Sequence, residues 1–323
     1  SFDEVSKVID DALKLGSDNK MGYDYIADFE ARFLKKARDP VTTGWADIDE
    51  ISKGGLGKGE LGVVVAPTGA GKSMVLVHLG AQALKAGKNV LHYTLELGDT
   101  IVAGRYDAAI TGVELRNLAV FKEKIYDEIK EIPGKLIVKE YPTRSASIQT
   151  IKNHVEKLKR RDFTPDMIIV DYGDLIRPEN GGKDEKRHQL ETIYEELRGL
   201  AQICECPLWT ASQTNRSGLN AEVITMESIS EAFNKCFVAD FIFTVSRTVE
   251  DKNNNTGRIF IAKNRNGPDG LVYPLFMDTS SVCIKVLSQT GETVNDIIQK
   301  SSKDRLEALK EKYKVFKKEG GKG

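Results

Sequence analysis

The chain has 323 residues, 40% of them hydrophobic, which is enough to bury a substantial core in one large domain with additions. Its 47 basic and 48 acidic side chains nearly cancel, so no global positive field draws in nucleic acid, and any such binding has to come from local patches. The four cysteines, Cys204, Cys206, Cys236 and Cys283, lack the paired spacing of a zinc or redox site and the density of a disulfide framework, and no apolar run is long enough to cross a bilayer. The cysteines therefore read as core residues in a reducing, cytoplasmic compartment with no membrane partner. The N-terminus, SFDEVSKVIDD, lacks the basic-then-apolar order of a secretory signal, and a first residue Ser1 in place of Met leads us to expect a processed or truncated chain with an upstream domain missing.

In chain order, Phe2, Val5, Val8, Ile9, Ala12 and Leu13 fall at helical spacing and predict a short amphipathic helix over 2–15. The polar stretch GSDNKMG at 16–22 sets it apart, and a second helical stretch is expected over 23–37. From residue 61 the pattern becomes apolar β-branched runs alternating with amphipathic helices, which predicts an α/β fold built on a mainly parallel twisted sheet flanked by helices. The expected strands are 62–66, 89–95, 135–139, 167–171, 207–212, 240–245, 258–263 and 282–287. The connection 264–281 holds Gly267, Pro268, Gly270 and Pro274 and no long helix, so the last two strands are expected to pair antiparallel toward the sheet edge. No internal repeat is evident. The final twenty residues, rich in lysine and ending in glycine, read as a surface helix fraying into a tail. The expected division is an N-terminal helical region over 1–40, a main α/β domain over 41–300 and a basic C-terminal helix and tail over 301–323.

Residues 66–73 read APTGAGKS, directly after the apolar strand and before the helical MVLVHLGAQAL. This is the context in which a glycine loop cradles phosphates. Backbone N–H groups of Pro67 to Ser73, proline excepted, can curl around oxygens, with Thr68, Gly69, Ala70 and Gly71 forming the loop. Lys72 then meets the β- and γ-phosphates, and the Ser73 hydroxyl can ligate Mg²⁺ at the helix N-terminus. Parallel sheets place ligands at the carboxyl ends of strands, where two carboxylates stand out. Asp171 ends MIIVD, the form of a Walker B aspartate that holds Mg²⁺. Glu96 follows NVLHYTL and could orient and deprotonate an attacking water. ATP and Mg²⁺ are the expected nucleotide and metal.

Several segments together resemble the DnaB-type replicative DNA helicases, in a version similar to those of large tailed bacteriophages, over roughly residues 40–290. They are TTGWADID and GGL at 42–56, the phosphate loop, TLEL at 94–97, VDYGDLI at 170–176, WTASQTNR at 209–216 and IAKNRNGPDG at 261–270. The resemblance implies a RecA-like P-loop ATPase fold for the main domain and an ATP-driven motor that separates duplex DNA. It implies that Arg265 is an arginine finger reaching the neighbouring subunit's ATP, with Lys263 its companion on the γ-phosphate. Such a cation supplied in trans makes hydrolysis depend on how subunits pack. It further implies that Gln213 senses the γ-phosphate, that Arg105 lies near the catalytic site, and that the helix 2–15 docks on an adjacent subunit to close a ring of six.

A single strand threaded through a ring is held by loops offering basic or backbone N–H groups to phosphates. Two stretches fit: RPENGGKDEKRH at 177–188, with Arg177, Lys183, Lys186 and Arg187, and 214–231, with Asn215 and Arg216 near its start. Ser230 and Phe233 stand where many bacterial members have an arginine and a glycine. The basic run KLKRR at 157–161 reads as solvated helix surface. Expected partners are single-stranded and forked duplex DNA, sister subunits, a primase and a helicase loader, in the cytoplasm, the host's if the chain is phage-encoded. A recombinase that coats DNA as an ATP-dependent filament is the alternative reading, and a clock-like or signalling ATPase without DNA the third.

Overall fold

The computed structural model describes residues 24–27, 29–30, 38–178, 186–214, 223–225 and 236–287. The expected helix at 2–15 and the C-terminal tail lie outside these residues, as does most of the helical stretch expected at 23–37. The chain divides into two compact units, Ser1–Arg38 and Asp39–Gly323. The second unit carries the sheet and the phosphate loop.

Nine strands form one sheet among the described residues. They are β1 (Leu61–Ala66), β2 (Val90–Thr94), β3 (Leu136–Glu140), β4 (Met167–Asp171), β5 (Leu208–Gln213), β6 (Phe241–Ser246), β7 (Thr256–Asn264), β8 (Val272–Asp278) and β9 (Cys283–Val286). Their order is β3-β2-β4-β5-β1-β6-β7-β8-β9, parallel from β3 to β6 and antiparallel from β6 to β9. The helices are α1 (Ala46–Ile51), α2 (Lys72–Lys85), α3 (Asp99–Thr111), α4 (Lys122–Ile129), α5 (Ile148–Lys159), α6 (Lys186–Cys204) and α7 (Val249–Asn253).

Burial explains why the central strands carry unbroken apolar runs. A strand covered on both faces sends alternate side chains into two cores. In β1, Leu61, Val63 and Val65 join one core with Ile151 of α5 and Leu197 of α6, while Val64 and Ala66 join the other with Leu76 of α2 and Val102 of α3. At Gly62 the sheet needs an absent side chain. Its partner across the β1–β5 register is Trp209, whose ring passes 2.4 Å from where a Cβ would stand. The TTGWADID segment is tied down by Asp49, which accepts hydrogen bonds from the Thr43 backbone (2.8 Å) and from the hydroxyls of Thr42 and Thr43. Trp45 then stacks on His78 at 4.6 Å and donates its indole N–H to the Ile284 carbonyl in β9 (3.1 Å).

One expectation about the sheet is overturned. The strands at 258–263 and 282–287 do not pair, because Val272–Asp278 forms an additional strand between them. Pro274 made that stretch read as a connection, since proline cannot donate to a ladder. It is tolerated because it presents only its carbonyl, which accepts from Leu287 (2.9 Å), while the flanking Val272, Tyr273, Leu275 and Met277 are buried. Cys204, Cys206 and Cys236 are buried and Cys283 is half-buried, and none of them forms a disulfide among the described residues. Among the described residues no helix is long and apolar enough to cross a membrane.

Candidate nucleotide site

The glycine loop leaves β1 at its buried last residue and enters α2 at Lys72. Gly69 and Gly71 adopt φ of 73° and 101°, the left-handed region that a Cβ disfavours. Gly71 has a second reason to be glycine, because a Cβ there would lie 2.5 Å from Met277 Cε. Among the described residues no side chain caps the start of α2, whose first N–H groups lie unused by the helix, as an anion-binding helix end requires. Lys72 folds back over the loop, its Nζ donating to the carbonyls of Ala66 and Pro67, each at 3.4 Å. Ser73 occupies the next helical position.

The two expected carboxylates meet at the same end of the sheet. Thr94 of β2 is in register with Asp171 of β4, and the Leu95 N–H donates to the Asp171 carbonyl (2.8 Å), so Glu96 emerges beside Asp171. The Thr94 hydroxyl pins the turn by donating to the Leu97 carbonyl at 2.8 Å and accepting from the Leu97 N–H at 3.2 Å, leaving Glu96 exposed. Asp171 is 1% exposed. Burial pushes its carboxyl up to about 6, with the Glu96 charge adding and the Ser73 hydrogen bond and the Arg105 and Lys72 charges opposing. Asp171 Oδ1 is buried without a hydrogen-bond partner among the described residues. A carboxylate that hydrogen-bonds a serine hydroxyl and holds one orphaned oxygen matches the oxygen donors that Mg²⁺ takes. Arg105 on α3 is half-buried within the fields of both Asp171 and Glu96.

Gln213 ends β5, paired with Ala66 at the mouth of the loop. Its Nε2 donates to the Thr68 hydroxyl at 2.7 Å, and its Oε1 accepts from the Tyr172 hydroxyl at 3.5 Å. Its own N–H donates to Asp174 Oδ2 at 3.3 Å. Gln213 thus links the phosphate loop to the turn after Asp171. A residue that sequence reading missed also borders the loop: Lys252 Nζ stands 3.7 Å from where a Gly69 Cβ would be. Helix α7 delivers it, held by a reciprocal cap between Thr248 and Asp251. Nothing local marks Lys252, because the β1–β6 pairing that brings it there spans most of the chain.

Lys72, Ser73, Glu96, Arg105, Asp171 and Gln213 are brought together; Lys263 and Arg265 are not. β6 runs parallel to β1 and β7 returns antiparallel, so β7 ends where β1 begins. There the Arg265 N–H donates to the Asp240 carbonyl (3.0 Å), and Asp240 Oδ2 accepts from the N–H of Leu61, the first residue of β1. The phosphate loop starts at the other end of that strand, about 16 Å away at ordinary strand rise. Lys263 donates from Nζ to the Phe237 carbonyl and lies 4.4 Å from that ring. Burial, first, and the Arg265 charge hold its ammonium below the ordinary lysine range. Asp240 and Arg198, which gather at Arg265, were not singled out in the sequence. The only signal was an acidic residue opening the apolar run FIFTVS.

Of the expected DNA contacts, Arg177 is exposed, six residues beyond Asp171, with its N–H donating to the Ala146 carbonyl (2.9 Å). Lys183, Asn215 and Arg216, and the side chains of Lys186 and Arg187, lie outside the described residues, as do Ser230 and Phe233. In the KLKRR run, Lys157, Arg160 and Arg161 are exposed and Lys159 pairs with Glu156 at 3.1 Å.

The chain is 33% identical over 260 residues to a DnaB-like replicative helicase of Enterobacteria phage T4, covering 76% of this chain and 54% of that one. It is 26% identical over 290 residues to a replicative DNA helicase DnaB of Mycoplasma genitalium, covering 80% and 60%. The chain thus spans little more than half the length of these relatives. A solved structure of a DnaB-like replicative helicase, described with its interactions with primase, superposes with a TM-score of 0.68 at 15% identity, over 88% of this chain and 71% of that one. The model of the DnaB-like helicase C-terminal domain matches residues 40–282, and the chain belongs to that family.

Proposed function

We propose that this chain is the motor of a ring-shaped helicase that hydrolyses ATP between neighbouring subunits and uses the cycle to move along one DNA strand and open the duplex. The observation that carries this reading is the separation of Arg265 from Lys72. A complete cradle faces one end of the sheet, while the cation expected to finish the reaction faces the other. An arginine so placed serves a second copy of the chain, and repeating that head-to-tail contact closes a ring, six-fold by family resemblance.

In this reading the backbone N–H groups of the loop and Lys72 grip the β- and γ-phosphates. Ser73 and Asp171 would hold Mg²⁺, which when bound would neutralise negative charge on the phosphates. Glu96, exposed at the strand end, orients the attacking water and takes its proton. Arg105 offsets the negative charge of the two carboxylates. The neighbour's Arg265, with Lys263, stabilises the charge that builds on the transferring phosphoryl group. Gln213, touching Thr68, reports the state of the loop to the segment that follows it, where the expected DNA contacts Asn215 and Arg216 lie. Arg177, Lys183, Lys186 and Arg187 form the other expected contact. A primase and a loader in the cytoplasm are the further expected partners.

The test is turnover by mixed subunits. Arg265→Ala should retain nucleotide binding and lose turnover about 1000-fold or more. Lys72→Ala should be inactive alone. Mixed, the two restore interfaces that pair a wild-type cradle with a wild-type arginine, and activity returns; no recovery rules out a shared site. Unwinding of a forked duplex, set against strand exchange, separates a helicase from a filament-forming recombinase.

A further inference from the structure

We propose that Asp240 is the positioning residue of the Arg265 finger, and that Arg198 occupies the same carboxylate so that it does not cancel the finger's charge. This rests on the reading of Arg265 as a cation supplied in trans.

Asp240 is buried where three elements converge: the start of β1, helix α6 and the end of β7. Its Oδ2 accepts from the Leu61 N–H (3.0 Å) and from Arg198 Nε (3.2 Å). Its Oδ1 accepts from Arg198 Nη2 (3.1 Å) and from Arg265 Nη1 (3.0 Å). Its backbone carbonyl accepts the Arg265 N–H. Arg265 is therefore held twice by one residue, once at the main chain and once at the tip of its side chain. Among the described residues only one edge of the guanidinium is used. A guanidinium carries five N–H donors, and the Arg265 side chain is 43% exposed, so donors remain to meet a ligand outside the chain. Anchoring one edge of a planar fork sets the direction of the other, which is how a long side chain is preorganised.

Charge decides what Arg198 does. A single buried carboxylate facing Arg265 alone would make a neutral pair, with little left to stabilise an oxyanion. Arg198 grips the carboxylate through two nitrogens, so the group of one carboxylate and two guanidiniums keeps a net positive charge. Lys263, two residues earlier within β7, adds to it.

The experiment measures ATP turnover by the assembled protein with single-stranded DNA, for Asp240→Asn, Arg198→Ala and the double variant. Asp240→Asn keeps an acceptor for Leu61 and loses the charge that aims the finger. Its kcat should fall about 10- to 100-fold, the scale of a misplaced group, with KM for ATP little changed because the cradle is at the far end of the sheet. Arg198→Ala should lower kcat in the wild-type background and have little further effect in the Asp240→Asn background. Mixing Asp240→Asn with Lys72→Ala should recover turnover, since the first supplies an intact cradle and the second a correctly aimed arginine; a subunit that is simply misfolded recovers nothing. If Asp240→Asn fails to fold, Arg198→Ala mixed with Lys72→Ala reads the same claim from a partly exposed position. Wild-type turnover in Asp240→Asn, or no recovery on mixing while Arg265→Ala with Lys72→Ala does recover, overturns the proposal. Failure of that control mixture as well overturns the shared site itself.

Discussion

Replacing Asp171 with asparagine should abolish turnover and make the metal-free protein more stable at neutral pH. The carboxyl group is pushed from 3.8 up to about 6, mainly by burial, so its ionised form is disfavoured in the fold. Between those two values the folded state binds more protons at this position than the unfolded state does. Stability from this group is therefore greatest below pH 3.8 and is lost as pH rises through about 6. A shift of that size corresponds to about 3 kcal/mol. Asp171→Asn removes the charge while keeping an acceptor for the Ser73 hydroxyl. The expected gain at about pH 7.5 is thus about 3 kcal/mol, on the order of 10 °C in Tm for a domain of this size. The assay is urea and thermal unfolding with a chelator present, near neutral pH and at about pH 4, for both proteins. The gain should shrink toward zero in acid, and Mg²⁺ with nucleotide should stabilise the wild type far more than the variant. A variant equally or less stable near neutral pH, or a gain independent of pH, would show that burial of this charge costs the fold nothing.

Gly62→Ala should destabilise by about 1 to 3 kcal/mol in urea titration, because the new Cβ meets the Trp209 ring, and an unchanged midpoint would show that the ring moves aside. Gln213→Ala removes the 2.7 Å bond to Thr68. Stimulation of turnover by single-stranded DNA should then fall by more than the unstimulated rate, and equal losses would argue against a coupling role. Lys252→Ala should weaken nucleotide binding several-fold in a fluorescence titration, as expected for one cation removed from the border of a phosphate loop; identical affinity would make Lys252 an ordinary surface lysine.

Much of the site was legible because its chemistry is local. Strand, glycine loop, lysine, serine and helix follow one another in APTGAGKS, and Asp171 and Glu96 each end an apolar run, so their place at the carboxyl end of a parallel sheet follows from pattern alone. The strand at Val272–Asp278 was less legible, since Pro274 signals a break when read locally and is tolerated only because of where its neighbours are buried.

The order of residues was thus sufficient to put a phosphate cradle on a mainly parallel sheet and to name the residues that line it, because period and spacing encode each element separately. It took the folded chain to put Arg265 at the opposite end of β1 from Lys72, to gather Asp240 and Arg198 around it, and to bring Lys252 to the border of Gly69. Those juxtapositions depend on strand order, and a strand's neighbour in the sheet is set by how all the apolar faces are covered at once, a condition that no single segment carries.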